Sequence, residues 1–176
     1  MPLGSIADFY PEFPGVAFSK YCAKQEVDSN GATVMGEGIR LIVPQYAIRP
    51  GDSVPIALQA CLDGPFILPD GIVLVSPVYR IAPPCAFRQD VILTIEHFAE
   101  LETLDDCNEI VFITSPTKPK IRPHKGEAYW KFKILDIKPK CTPRSHRGNV
   151  YLSHFCLAAL GRRLTRRGKN AYMIYM

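Results

Sequence analysis

The stretch GEGIRLIVPQYAIRPGDSVPIALQAC, residues 36–61, decides the fold that we predict for this chain. It contains two apolar runs in which alternate residues are hydrophobic, as in strands that bury one face. The alternating positions are Ile39, Leu41 and Val43 in the first run and Ile56, Leu58 and Ala60 in the second. Between the runs, Pro50-Gly51-Asp52 supplies a turn, because proline fixes φ and glycine accepts φ values that other residues avoid. The stretch therefore predicts a strand, a turn and a second strand.

Part of this stretch resembles a motif of the ZU-five (ZU5) domain, the β-sandwich shared by zonula occludens scaffolds, uncoordinated-type netrin receptors and ankyrins. In that family a glycine-led apolar strand ends in a turn of the form Ile/Val-Pro-x-x-Ala-Ile-x-x-Gly, and residues 43–51, VPQYAIRPG, fit this pattern. Gln45-Tyr46 stands where many members have Pro-Gly. Further matching phrases follow in order at Ser76-Pro77, Phe87 and His97-Phe98. The resemblance covers residues 28–162.

The whole chain has the composition and patterning of an all-β protein. Its 176 residues include 16 prolines and 12 glycines, which argue against long helices, and 47% of the residues are hydrophobic, enough to bury a core. Short alternating segments recur between turn signals, most clearly where Trp130, Phe132 and Ile134 would face one way and Lys131 and Lys133 the other. Together with the family resemblance, this pattern predicts an antiparallel β-sandwich of short strands.

We divide the chain into three parts. Residues 1–27 are predicted to be an N-terminal strap or tail, residues 28–162 the ZU5-like β-sandwich, and residues 163–176 a basic linker. The apolar residues 171–176 of that linker would form the first strand of a missing following domain. ZU5 relatives continue into a UPA domain and often a death domain, or are joined to ankyrin repeats. We therefore expect this chain to be a fragment or a short relative of such a protein.

The resemblance implies a protein-interaction module of an intracellular signalling or membrane-skeleton scaffold, docking on neighbouring domains or partner proteins. Its expected partners are protein domains, including an adjoining UPA-type or death domain. Residues 1–14 lack the basic start and apolar centre of a signal peptide, and no run is apolar and long enough to span a bilayer. We therefore expect a cytoplasmic location, with membrane association as part of a larger protein.

Charge is distributed unevenly along the chain. No acidic residue follows Asp136, whereas nine lysines and arginines do, so the formal net charge of +4 leaves −5 for the residues before this basic part. The basic part would serve as a solubilising linker, dock on an acidic neighbouring domain, or bind an anionic membrane surface. Nucleic-acid binding is not predicted, because aromatic residues are not interleaved with the arginines. The predicted partner contacts are Lys131, Lys133, Arg162, Arg163, Arg166 and Arg167, and Thr165 in Arg162-Arg163-Leu164-Thr165 is a predicted phosphorylation site.

The sequence contains no pattern typical of a metal site, a cofactor site or a conventional catalytic site. Its six cysteines include no Cys-x-x-Cys pair and are predicted to be free thiols. The segment with Glu100, Glu102, Asp105 and Asp106 lacks the spacing of a calcium loop, so we expect a solvated acidic loop. His97 at a strand end is expected to be half-buried and to bond a loop backbone, with a general base as the alternative. No cofactor is expected, and self-cleavage is the one reaction that the sequence suggests.

The triplet His154-Phe155-Cys156 carries that suggestion. Some ZU5 proteins carry His-Phe-Ser in their final strand and cut themselves between Phe and Ser, and Cys156 stands in the serine's place. The resemblance implies that the Cys156 thiol attacks the Phe155 carbonyl, while His154, two residues away on the same strand face, activates the thiol. The alternative is that the triplet only packs in an apolar last strand, which we predict over residues 149–160.

Overall fold

The computed structural model describes residues 13–82, 87–116, 118–153 and 157–164. Within these ranges the chain forms fourteen β-strands and one short helix, α1, Leu104–Asn108. The first seven strands are β1 Ala17–Asp28, β2 Ala32–Met35, β3 Ile39–Val43, β4 Ser53–Asp63, β5 Phe66–Ile67, β6 Ile72–Leu74 and β7 Val78–Ala82. The other seven are β8 Val91–Glu96, β9 Ile110–Ser115, β10 Lys120–Ile121, β11 Ala128–Lys131, β12 Lys133–Ile134, β13 Arg147–Leu152 and β14 Leu157–Arg163.

The strands form three sheets, which confirms the predicted all-β sandwich. A seven-stranded sheet has the order β1-β4-β7-β14-β9-β12, with β6 also paired to β14. A four-stranded sheet has the order β13-β8-β3-β2, and a small sheet has the order β10-β11-β5. Strands in the two larger sheets pair antiparallel, whereas β11 and β5 pair parallel.

Two hydrophobic cores lie on opposite faces of the seven-stranded sheet. The main core packs that sheet against the four-stranded sheet, with Leu41 and Leu93 on one side and Phe112 and Leu160 on the other. The second core lies under the small sheet, where Trp130 is fully buried. Its members also include Phe13, Ile113, Phe132 and Leu157. The large sheet is therefore the central layer of three.

The segment of residues 36–61 forms the two predicted strands, but these do not pair with each other. Strand β3 pairs with β2 and β8, whereas β4 pairs with β1 and β7, so the connection carries the chain from one sheet to the other. Buried Ala47 and Ile48 anchor the connection in the main core. Tyr46 has φ 65° and its N–H donates to the Ser29 carbonyl at 2.7 Å. It thus adopts the left-handed conformation at the position where the motif that this segment resembles often has glycine.

Three details differ from the sequence-based expectations. Strand β1 pairs with β4 from residue 17 onward, so the sheet begins before the predicted boundary at residue 28. The predicted last strand over residues 149–160 is wrong, because β13 ends at Leu152 in the four-stranded sheet and β14 starts at Leu157 in the seven-stranded sheet. The acidic segment is partly helical rather than a loop, because Thr103 and Asp106 form a capping box at the start of α1.

No helix in the described ranges has both the length and the apolar character needed to cross a membrane.

Candidate partner-binding surface

Lys131 and Lys133 lie on the solvent side of the small sheet and its neighbouring strand. Trp130 and Phe132 point the opposite way into the second core, and this alternation turns the two lysines outward. The Trp130 backbone N–H donates to the Pro65 carbonyl at 3.0 Å, which fixes β11 against the segment before β5. The predicted exposure of both lysines is therefore confirmed.

Two further basic side chains lie beside them, one on strand β10 of the small sheet and one directly after it. Lys120 on β10 stands opposite Tyr129 on β11, and the Arg122 guanidinium lies 5.6 Å from the centre of the Tyr129 ring. We call the set Lys120, Arg122, Lys131 and Lys133 the basic face; all four residues are exposed. Glu127 is the only acidic residue in residues 118–133, which contain six lysines and arginines. The concentration of lysines and arginines in residues 118–133 is visible in the sequence and could have indicated this basic surface.

The basic face offers both charge and an exposed strand edge. Within the described part of the chain, Lys131 and Lys133 form no ion pair. Strand β10 is at the edge of its sheet, and Ile121 on it is 58% exposed. An edge strand presents unpaired N–H and C=O groups to which another chain can bond.

A family model of the ZU5 domain matches residues 23–114. This chain belongs to the ZU5 domain family. A search of curated proteins finds no match. ZU5 domains are protein-interaction modules, and the matched residues run from β1 to β9. The basic face of this ZU5 protein follows the matched residues along the chain and lies on the small sheet and the neighbouring strand β12.

Arg162 of this ZU5 domain is engaged within the protein, apart from the basic face. Its side chain is 20% exposed, and Nε donates to Glu109 at 2.8 Å while Nη2 donates to Asp106 at 3.2 Å. Arg163, the next residue, is exposed at the end of β14. The predicted contacts Arg166 and Arg167 and the predicted phosphorylation site Thr165 lie outside the described residues. The structure therefore does not bring Arg162 to the surface formed by Lys131 and Lys133.

The residues predicted to carry chemistry are only partly described. His154, Phe155 and Cys156 lie outside the described residues, between β13 and β14, so self-cleavage stays a prediction. Among the described residues no group of three or more His, Cys, Asp or Glu side chains could hold a metal ion. Burial raises the pKa of the Cys61 thiol to about 12 and that of Cys141 to about 11. These two thiols are therefore protonated and poorly nucleophilic at neutral pH.

His97 is more deeply buried than the sequence predicted. Its exposed fraction is 5%, and neither ring nitrogen has a hydrogen-bond partner of normal geometry. The backbone of Ala99, in the loop after β8, interacts with the imidazole and opposes the lowering of its pKa, in line with the expected bond to a loop backbone, and the His97 backbone N–H donates to the His146 carbonyl at 2.8 Å. Burial, and then the nearby His146 ring at 6.0 Å, lower the pKa of His97. The imidazole is consequently neutral at pH 7.

Proposed function

We propose that this ZU5 domain is a docking module of an intracellular signalling or membrane-skeleton scaffold. In this proposal it binds neighbouring domains or partner proteins through the basic face. The observation that carries the proposal is the exposure of Lys131 and Lys133, which have no ion-pair partner among the described residues. The membership in a family of protein-interaction modules supports it.

The chemistry of the basic face favours an acidic protein surface as its partner. Exposed lysines and arginines steer an oppositely charged partner toward the right orientation and raise the association rate. The edge of β10 adds main-chain hydrogen bonding, and Ile121 adds an apolar contact. An acidic surface that also presents an extended strand and an apolar side chain, on a UPA-type or death domain or on another protein, would meet all three features.

A binding titration with charge-reversed variants tests this function. The purified chain is titrated with a UPA-type domain and with a death domain as separate proteins, and Lys131→Glu/Lys133→Glu is compared with the parent. Because both reversed charges would oppose the partner's acidic surface, we expect the affinity to fall about tenfold or more. The matched control Arg49→Glu/Arg88→Glu changes the net charge equally at exposed positions away from the basic face and should bind as the parent does. Equal losses in both variants, or no loss in either, would contradict the proposal.

A further inference from the structure

A groove of about 480 Å³ opens between the two large sheets, away from the residues that form the basic face. Its walls come from β1, β4 and β7 of the seven-stranded sheet and from the segments around β3 and β8 of the four-stranded sheet. The groove is open to solvent rather than enclosed. Its volume falls within the range typical of ligand-binding clefts.

An irregularity in edge strand β1 shapes one wall of this groove. Phe18 pairs with Cys61 and Cys22 pairs with Gln59, so three residues of β1 stand opposite the single residue between those partners on β4. The Gln59 side chain donates to the Ser19 carbonyl at 2.7 Å and holds the extra residues in place. The bulge places Ser19 and Tyr21 at the groove. Bulges of this kind re-aim side chains and occur frequently near functional sites.

The rim of the groove is apolar and exposed. Tyr21, Leu62 and Phe98 are 55%, 70% and 69% exposed, and all three line the groove. They come from β1, the end of β4 and the segment after β8, so only the fold brings them together. Large exposed apolar side chains gathered at one groove are typical of a binding site.

Two carboxylates give the same groove a negative charge. Glu37 lies in a tight turn in which the Gly36 N–H donates to the Ile39 carbonyl at 2.8 Å, and the Tyr79 hydroxyl donates to the Glu37 carbonyl at 3.1 Å. Glu96, the second carboxylate, is 3.8 Å from Arg147 in an exposed pair. Among the residues that the structure describes, no lysine or arginine lines the groove. Burial, and then the charges of Glu96 and Glu37, raise the pKa of Tyr79 to about 12, as expected for a negative environment.

Buried His97 also lines the groove, and among the described residues neither ring nitrogen makes a hydrogen bond of normal geometry. Buried polar atoms normally complete their hydrogen bonds, so the imidazole has capacity left for a group that a ligand brings into the groove. A neutral imidazole can accept one hydrogen bond and donate another.

We infer that this groove binds an extended segment of a partner protein in which a lysine or arginine lies next to an aliphatic or aromatic residue. The cationic end would meet Glu37 and Glu96, while its aliphatic stem and the neighbouring side chain would cover Leu62 and Phe98. Lysine and arginine suit both parts of this surface because they combine an apolar stem with a charged end. The inference goes beyond the proposed function, since it concerns a second surface with the opposite charge preference.

Synthetic peptides test the inference on the full chain. The probe is an acetylated peptide of alternating leucine, lysine and phenylalanine, measured by fluorescence anisotropy, with two matched peptides in which glutamate replaces lysine or serine replaces the apolar residues. We expect binding of the first peptide alone. Glu37→Gln/Glu96→Gln should weaken it about tenfold, because two charge contacts are lost. Asp90→Asn/Glu127→Gln, which removes two exposed carboxylates outside the groove, should leave it unchanged.

Additional variants separate this inference from the proposed function. Leu62→Ser/Phe98→Ser alters only exposed side chains, so the variant should fold, as checked by its melting temperature, and should also lose binding of the basic peptide. Lys131→Glu/Lys133→Glu should keep that binding even if it loses its protein partner. The inference is overturned if the glutamate peptide binds as tightly as the lysine peptide. It is equally overturned if the folded Glu37→Gln/Glu96→Gln variant binds the lysine peptide as the parent does.

Discussion

The Nε atom of Arg162 lies 2.8 Å from the Glu109 carboxylate and joins the end of β14 to the residue that follows helix α1. The same guanidinium donates to Asp106 at 3.2 Å and to the Glu100 carbonyl at 3.2 Å. Three acceptors around one partly buried arginine form a network that holds the acidic segment against the seven-stranded sheet. Arg162 is consequently a structural residue in this domain. Variants that test binding by the basic C-terminal part should therefore leave Arg162 unchanged.

Replacing Arg162 by alanine should destabilise the domain. The change leaves the Glu109 and Asp106 carboxylates without their cation, and because the site is only partly buried we expect a loss of roughly 1–3 kcal/mol in the free energy of unfolding. Arg163→Ala removes an exposed arginine one residue away and should change that energy by no more than about 0.5 kcal/mol. Chemical denaturation of both variants measures the difference. Equal stability of the two would show that the Arg162 network contributes nothing.

Replacing Gly38 by alanine should also destabilise the domain, for two separable reasons. Gly38 has φ +73°, and a Cβ there would lie 2.6 Å from the Tyr79 hydroxyl oxygen. The positive φ and the clash together should cost roughly 2–4 kcal/mol. Gly51→Ala isolates the cost of the backbone conformation. Gly51 has φ +88°, and among the described residues no atom lies within 4 Å of the position that a Cβ would take. This substitution should lower the free energy of unfolding by only about 1–2 kcal/mol.

The clash at Gly38 can be measured by a double-mutant cycle. Tyr79→Phe removes the hydroxyl, so Gly38→Ala should cost less in that background than in the parent. Urea denaturation of the four proteins gives the coupling energy. A coupling near zero would mean that the Tyr79 ring does not constrain residue 38.

The sequence predicted strands more reliably than it predicted their partners. The alternation of hydrophobic residues identified β3 and β4, because a strand that buries one face buries every second residue. This alternation does not indicate which sheet the strand joins. The helix α1 was missed although Thr103 and Asp106 have the spacing of a capping box. The exposed Lys131 and Lys133 followed from the neighbouring buried aromatics. The groove could not be predicted, because Tyr21, Leu62 and Phe98 are far apart in sequence and meet only through the sandwich.

The stability of the domain should fall at mildly acidic pH because of His97. Its pKa in the folded protein is lowered from 6.5, so the unfolded chain takes up a proton first as the pH decreases. The contribution of neutral, buried His97 to the free energy of unfolding is therefore fully present above pH 6.5 and is lost as the pH falls through and below that value. For one histidine the slope reaches at most about 1.4 kcal/mol per pH unit. Denaturation midpoints measured across this pH window give the dependence directly.

Two variants assign that pH dependence to His97. His97→Phe keeps an aromatic ring but cannot titrate, so its stability should vary less with pH in the window where the parent loses stability. His124→Gln removes an exposed histidine and should retain the parent's dependence. If His97→Phe kept the full pH dependence, another group would have to be responsible.

Binding of the basic C-terminal part to an anionic membrane should depend steeply on salt. Each lysine or arginine near an anionic surface contributes about 1 kcal/mol, and salt screens this attraction. Co-sedimentation with liposomes that contain anionic lipid should therefore decrease as salt increases and should be absent with neutral lipid. The variant Arg163→Ala/Arg166→Ala/Arg167→Ala should bind less while keeping its fold, because Arg162 is left in place. Salt-independent binding, or binding unchanged in this variant, would exclude the tail as the membrane contact.

Intact mass measurement decides between the two interpretations of His154-Phe155-Cys156. Self-cleavage needs a strained Phe155–Cys156 bond, so that the Cys156 thiol can add to the Phe155 carbonyl and release the Cys156 amine as a thioester forms. Water then opens the thioester and leaves a carboxylate on Phe155 and a free thiol on Cys156. The motif alone does not supply strain, so we expect one uncut chain of 19.7 kDa after long incubation, with or without added thiol.

Hydroxylamine and one variant complete this test. Hydroxylamine attacks thioesters much faster than amides, so a stalled intermediate would appear as cleavage only when it is added. If two fragments appear whose masses sum to the intact chain plus one water, or plus one hydroxylamine where that reagent opened the thioester and left a hydroxamate on Phe155, the domain cleaves itself, and Cys156→Ala must then stay whole because its nucleophile is gone. Fragments that persist in Cys156→Ala would point to a contaminating protease. A chain that stays whole under every condition would contradict self-cleavage at this triplet.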